Sequence, residues 1–196
     1  PRDSGRVAPS VGLLDGRSGS GKTVLAAQLA SLLGAQTLHL DDLYPGWGGL
    51  AAGSRAVSEA LRAGTYRRYD WAVGEFSPAV ILDRGAPLVV EGCGALSATN
   101  LSAARAWAAG PARPRAAHAF SGGDIGSGVL TVWLDCPAPV RRKRALARDG
   151  DMYQPHWDEW AAQEEAHLAA HQPVALAAAV VHSVEPPRSR VHPYNP

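Results

Sequence analysis

Gly16-Arg17-Ser18-Gly19-Ser20-Gly21-Lys22-Thr23 satisfies the pattern G-x-x-x-x-G-K-[ST] at every fixed position. Upstream lies Val11-Gly12-Leu13-Leu14-Asp15, an apolar run of strand length. Downstream, Val24, Leu25, Leu29, Leu32 and Leu33 recur at helical spacing, and Gly34 follows as a C-terminal cap. A glycine-rich bend between a buried strand and a helix is the context in which this pattern is a phosphate-binding loop and not merely a flexible turn. Gly16, Gly19 and Gly21 let the backbone curl its N–H groups inward, and the positive end of the following helix adds to their pull on an anion. Lys22 is placed to reach the β and γ phosphates of a nucleoside triphosphate and Thr23 to ligate Mg²⁺, with Ser18, Ser20 and Val24 completing the expected nucleotide contacts.

The chain has 196 residues, 46% of them hydrophobic, enough for one well-filled α/β domain and short for two. A formal net charge of +1 argues against a general nucleic-acid binder, and its locally clustered basic residues suit a small anionic ligand better. No apolar run is long enough to cross a bilayer, no charged-then-apolar leader is recognisable, and a soluble, cytoplasmic protein is expected. Cys93 and Cys136 show no C-x-x-C spacing and read as small buried residues at strand ends.

Gln36-Thr37-Leu38-His39-Leu40 reads as a second strand that delivers Asp41-Asp42-Leu43-Tyr44 to its C-terminal end, where open parallel sheets bind ligands. Two adjacent acids can be a turn or capping pair, but one strand after a phosphate loop at least one is expected to be catalytic or metal-linked. Pro45 to Gly53 reads as a mobile glycine-rich loop and Ser54 to Ala63 as a short helix. Tyr66-Arg67-Arg68-Tyr69-Asp70-Trp71 fits two readings: a surface hairpin, or a substrate grip of stacking rings and guanidinium groups. Pro87-Leu88-Val89-Val90-Glu91-Gly92 is a buried strand ending in an acid, a position suited to a Mg²⁺-linked carboxylate.

Thr99 to Ala109 reads as a helix and Gly110 to Gly128 as a surface loop containing Arg113 and Arg115. Within it, Phe120-Ser121-Gly122-Gly123-Asp124 faintly matches a transporter-ATPase signature. That match fails, because the next strand follows too soon and Asp135 is followed by Cys136 with no glutamate. Val129 to Leu134 is a core strand. The helix beyond Pro139 places Arg141, Arg144 and Arg148 on one face, which beside a triphosphate becomes a clamp for phosphoryl charge. Trp157, Trp160, Glu164, Leu168 and His171 share one side of a further helix, with Glu164 a candidate substrate ligand. Ala178 to Val181 is the expected last strand, and the tail from Pro186 is expected to be disordered.

Four stretches together resemble the uridine kinase-like branch of the P-loop kinases, which includes uridine-cytidine kinase, phosphoribulokinase and pantothenate kinase. They are the loop Gly16 to Thr23, Asp41-Asp42-Leu43-Tyr44 with Leu43 in place of the usual Phe, Val89-Val90-Glu91-Gly92, and Val140 to Asp149 as the lid helix. The resemblance implies a three-layer α/β sandwich with a five-stranded parallel sheet of order 2-3-1-4-5. A helical lid would lie at about 137–155 and an acceptor region at about 44–75, all in a single domain spanning 1–185. It implies ATP and Mg²⁺ as cofactor and metal: Asp41 as base and metal-linked acid, Thr23 and Glu91 completing the metal site, Lys22, Arg141, Arg144 and Arg148 on the phosphates. Asp42, Tyr44, Arg67, Arg68, Tyr69, Asp70 and Glu164 are the acceptor-side candidates. In that order the strands before Cys93 and Cys136 stand roughly 10 Å apart, too far for a disulfide.

The expected activity is transfer of the γ-phosphoryl of ATP to a hydroxyl of a small metabolite, a nucleoside among the candidates. A nucleoside monophosphate kinase, in which Arg67 and Arg68 meet the acceptor phosphate, and a nucleotide-sensing ATPase are the alternatives. A GTPase is disfavoured by the lack of an N-K-x-D element. Monomer and homodimer both remain open.

Overall fold

The computed structural model describes residues 11–110 and 128–183. The expected lead-in at 1–10, the interior of the Gly110 to Gly128 loop and the tail from Pro186 lie outside the described residues. The elements are β1 (Val11–Gly16), α1 (Lys22–Leu33), β2 (Gln36–His39), a 3-10 turn (Leu40–Asp42), α2 (Leu50–Ala63), β3 (Thr65–Asp70) and β4 (Glu75–Ile81). They continue with β5 (Leu88–Glu91), α3 (Ala98–Ala108), β6 (Val129–Asp135), α4 (Ala138–Tyr153), a second 3-10 turn (Gln154–His156), α5 (Trp157–His171), α6 (Pro173–Leu176) and β7 (Ala179–His182).

Five strands form a parallel sheet ordered β2-β5-β1-β6-β7. Numbered in chain order among themselves they run 2-3-1-4-5, the expected arrangement. The apolar runs of β1 and β5 are continuous because both faces of these central strands are covered. Alternation along each strand then divides them: Leu13 and Val90 pack with Leu38, Val57, Leu61 and Trp107 on one face. Leu14 and Val89 pack with Ala26, Val132 and Leu134 on the other, against α1. A separate antiparallel pair, β3-β4, makes the region of Tyr66 to Trp71 a hairpin.

Helix α1 closes on Gly34, left-handed at φ 59, as the sequence predicts. Its inward side is narrower than the periodicity implies, since Val24 and Leu32 are 65% and 63% exposed. Helix α2 starts at Leu50, so the expected loop ends earlier and Gly53 lies inside a helix. The reason is tertiary: a Cβ on Gly53 would fall 2.8 Å from Tyr44 Cε1, and the ring of Tyr44 fills that space instead. Along α5 the buried stripe is Trp160, Glu164 and His167, with His171 exposed, one turn off the predicted end of the stripe. Cys93 and Cys136 are buried free thiols at the ends of strands separated by β1.

Candidate active site

The parallel sheet brings the C-terminal ends of β1, β2, β5 and β6 to one edge, where the phosphate loop turns from β1 into α1. Gly19 and Gly21 adopt φ 78 and φ 102, the left-handed region that a side chain resists. A cavity of about 290 Å³ opens above the loop, lined by Gly19, Gly21, Lys22, Thr23, Val24, Arg144, Ala145 and Arg148. Lys22 is buried and arches back, donating to the Arg17 carbonyl at 3.1 Å and lying 3.5 Å from Cys93 Sγ. Burial alone would pull its ammonium down; the Cys93 sulfur and the carboxylates of Glu91, Glu164 and Asp15 outweigh this and raise it, so the cation persists.

Two acids stand at the tips of neighbouring strands. Glu91, 3% exposed at the end of β5, accepts from the Thr23 hydroxyl at 3.2 Å and meets His39 Nδ1 at 2.7 Å. Asp41 follows β2 in the 3-10 turn, whose buried Leu40 and Leu43 hold it outward, and Tyr44 locks the turn by donating to the Cys93 carbonyl at 2.8 Å. Although Asp41 reaches the surface, desolvation by the surrounding protein and the like charge of Glu91 raise its carboxyl, against the opposing pull of Lys22, Arg148 and His39. Gly92 is required where these strand tips cross: a Cβ there would collide with Leu40 and stand 3.2 Å from the Tyr44 hydroxyl.

The expected lid arginines part company. Arg144 and Arg148 line the cavity, and Arg148 also pairs with Asp149 at 2.6 Å. Arg141 does not line it: 4% exposed, it donates to the Cys136 carbonyl at 3.0 Å and the Ser18 carbonyl at 3.1 Å. The helix carrying them bends at Gly150, φ 53 and ψ −132, before reaching Tyr153. The buried Tyr153 hydroxyl faces Ser18.

On the acceptor side, Asp42 pairs with Arg68 at 3.3 Å. Arg67 donates to the Ser77 and Phe76 carbonyls and Asp70 accepts from the Ala72 and Val73 amides, so both act within the hairpin. Tyr69 packs edge-on against Trp71 and Phe76. Tyr44 is 1% exposed, and Glu164, 4% exposed, accepts from Arg17 Nε at 2.9 Å and Ser18 N–H at 2.6 Å, so neither opens onto an acceptor. Trp71, which donates to the Asp41 carbonyl at 3.0 Å, ties the hairpin to the turn that carries Asp41.

Sequence reading missed three participants. His39 reaches Glu91 because β2 and β5 pair in register at these two residues, a relation with no local sequence signal. Asp15, 1% exposed, accepts from the amides of Gly16 (2.7 Å), Gly94 (3.0 Å) and Leu96 (2.8 Å), tying the loop's entry to the segment beyond Glu91. His167 lies 3.7 Å from it. An acid ending an otherwise apolar strand was the available clue for Asp15.

The donor set fits a nucleotide with Mg²⁺. The cavity is walled by loop glycines and three basic side chains, and the Thr23 hydroxyl beside the Glu91 carboxylate is a pair of hard oxygen ligands. Among the described residues no group of three or more His, Cys, Asp and Glu forms a metal cage. Mg²⁺ in phosphoryl-transfer sites needs none, taking one or two carboxylates and the substrate's phosphates.

A gluconokinase from Sinorhizobium meliloti 1021 superposes with TM-score 0.50 and 19% identity, covering 93% of this chain and 86% of its own. A sugar kinase from Janibacter sp. HTCC2649 gives TM-score 0.50 and 20% identity over 90% and 87%. The chain shares the α/β fold of these two structures, a five-stranded parallel sheet flanked by helices. A structure titled a possible uridine kinase, from Bacillus stearothermophilus, aligns over 92% of this chain and 91% of its own at 22% identity and TM-score 0.48, which does not single out the uridine kinase-like branch within that fold. No protein-family model and no curated protein matches the chain. Among the described residues no helix is long and apolar enough to cross a membrane.

Proposed function

We propose that this protein is an ATP-dependent kinase that transfers the γ-phosphoryl group to a hydroxyl of a small metabolite, the region 44–75 receiving the acceptor and 137–155 covering the nucleotide. The observation that carries this reading is the Thr23–Glu91 pair beside a glycine cradle containing Lys22, with Asp41 within electrostatic reach of Glu91 and Lys22. A cradle with its cation binds polyphosphate. An acid whose pKa lies above the usual carboxylate range is suited to take the proton of an attacking hydroxyl.

Thr23, Glu91 and Asp41 would hold Mg²⁺, which when bound neutralises charge on the β and γ phosphates. The chain's own part is positioning. Loop amides and Lys22 fix the phosphates, Arg144 and Arg148 face the same cavity with positive charge, and Asp41 orients the hydroxyl. Arg67 and Arg68 are held by the hairpin and by Asp42, which favours a neutral acceptor over a nucleoside monophosphate.

The test is ADP release across nucleosides, hexoses, gluconate and shikimate, with nucleoside monophosphates as a separate arm. Asp41→Asn is expected to leave ATP binding largely intact and lose phosphoryl transfer by about 10²-fold or more, the span of a lost general base. Full turnover by that variant refutes the assignment of Asp41. Slow ATP hydrolysis unaffected by every acceptor refutes the kinase reading in favour of a nucleotide-sensing ATPase.

A further inference from the structure

Residues far from the loop in sequence determine which way its peptide planes face. The carbonyl and N–H of one trans peptide unit point in opposite directions, so a partner that fixes one fixes the other. In the Arg17-Ser18 unit, the Ser18 N–H donates to Glu164 Oε1 at 2.6 Å while the Arg17 carbonyl, on the opposite side, accepts from Lys22 Nζ at 3.1 Å. In the Ser18-Gly19 unit, the Ser18 carbonyl accepts from Arg141 Nη1 at 3.1 Å, which turns the Gly19 N–H away from α4's first turn. Gly19 lines the nucleotide cavity. Glu164 and Arg141 are both buried, stand 3.9 Å apart, and are each tied elsewhere, Glu164 to Arg17 Nε at 2.9 Å and Arg141 to the Cys136 carbonyl at 3.0 Å.

We infer that Glu164 is a positioning residue: with Arg141 it grips Ser18 from two sides and holds the loop, before any nucleotide arrives, in the shape that presents the Gly19 amide and seats Lys22. Neither side chain touches phosphate. The inference rests on the reading of this loop as the ATP site. It gives Glu164 a role different from acceptor binding, which its burial and its saturated oxygens disfavour.

The experiment compares wild type with Glu164→Ala, Glu164→Gln and Glu165→Ala, measuring Mg·ATP dissociation constants by calorimetry and amide hydrogen exchange without nucleotide. Glu165, 63% exposed and bonded among the described residues to Arg17, is the control and is expected to stay at wild-type affinity. Loss of a buried charge-assisted hydrogen bond corresponds to about a ten- to hundredfold weaker Kd for Glu164→Ala. Exchange should quicken in peptides covering 16–23 and not in the β6 strand at 129–135; a merely structural role would quicken both. Glu164→Gln keeps one acceptor for Ser18 N–H and should fall between wild type and Ala. It also carries the test if the Ala variant does not fold. A folded Glu164 variant with wild-type ATP affinity and unchanged loop exchange overturns the inference, whereas failure of wild type itself to bind Mg·ATP overturns the kinase reading beneath it.

Discussion

Replacing Gly19 by alanine should damage this protein in a way that its place in a flexible-looking loop does not advertise. Two costs combine. At φ 78 any side chain is strained, by about 1–2 kcal/mol. The new Cβ would also lie 2.8 Å from the Arg141 carbonyl carbon and 2.9 Å from its Cα, which is helix backbone and cannot rotate away. Forcing α4 aside adds about 1–3 kcal/mol, the usual range for overpacking. The sum, about 2–5 kcal/mol, corresponds to a melting temperature lower by about 4–20 °C for a chain of this size. Gly34→Ala is the matched control, because Gly34 is left-handed at φ 59 with nothing within 4 Å of its Cβ position. It bears the conformational cost alone, about 2–8 °C. Differential scanning calorimetry of both variants, with Mg·ATP titrations, separates the contributions. Gly19→Ala should melt below Gly34→Ala and also lose ATP affinity. Equal melting temperatures, or wild-type affinity in Gly19→Ala, would show that α4 does not buttress the loop.

Asp15→Asn keeps the shape of a side chain that accepts three backbone amides but turns an NH₂ group toward one of them. The expected cost is about 2–4 kcal/mol in urea unfolding, and a change under about 1 kcal/mol contradicts the buried network. His39 is raised above its ordinary 6.5, first by its hydrogen bond to Glu91. A raised folded-state value means stability that is complete below the unfolded value and lost as pH climbs through the folded one. Metal-free wild type should therefore lose stability relative to His39→Gln as pH rises from below the ordinary histidine value through the raised one, and parallel curves for the two proteins would exclude the pair. Burial pushes the Cys93 thiol up to about 12, so iodoacetamide should label it far more slowly in native protein than in urea. Equal labelling rates would mean that the thiol is open to solvent.

What the sequence disclosed follows from the range of each interaction. The loop, its flanking strand and helix, and the acids at two strand tips obey local spacing, so Gly16 to Thr23, Asp41 and Glu91 could be located by periodicity and motif. The strand order came from the family resemblance of those same stretches. Gly53 was misplaced because its helix depends on Tyr44 filling the space a side chain would take. Arg141 and Arg144 share a helical face, yet one is buried against Ser18 and the other lines the cavity, since depth along a packed helix is set by its neighbours and not by its repeat. Glu164 meets Ser18 of the loop at a sequence separation of 146, and His39 meets Glu91 through strand register. No pattern within a single helix or strand encodes such meetings.

The indole of Trp47 touches Trp71 of the hairpin at 5.0 Å, Tyr153 and His156 beyond the bend of α4 at 5.3 and 4.4 Å, and Trp160 of α5 at 6.4 Å. Three separate parts of the chain thus lean on one ring. An outward swing of any one of them would unstack that ring, and intrinsic tryptophan emission would report it.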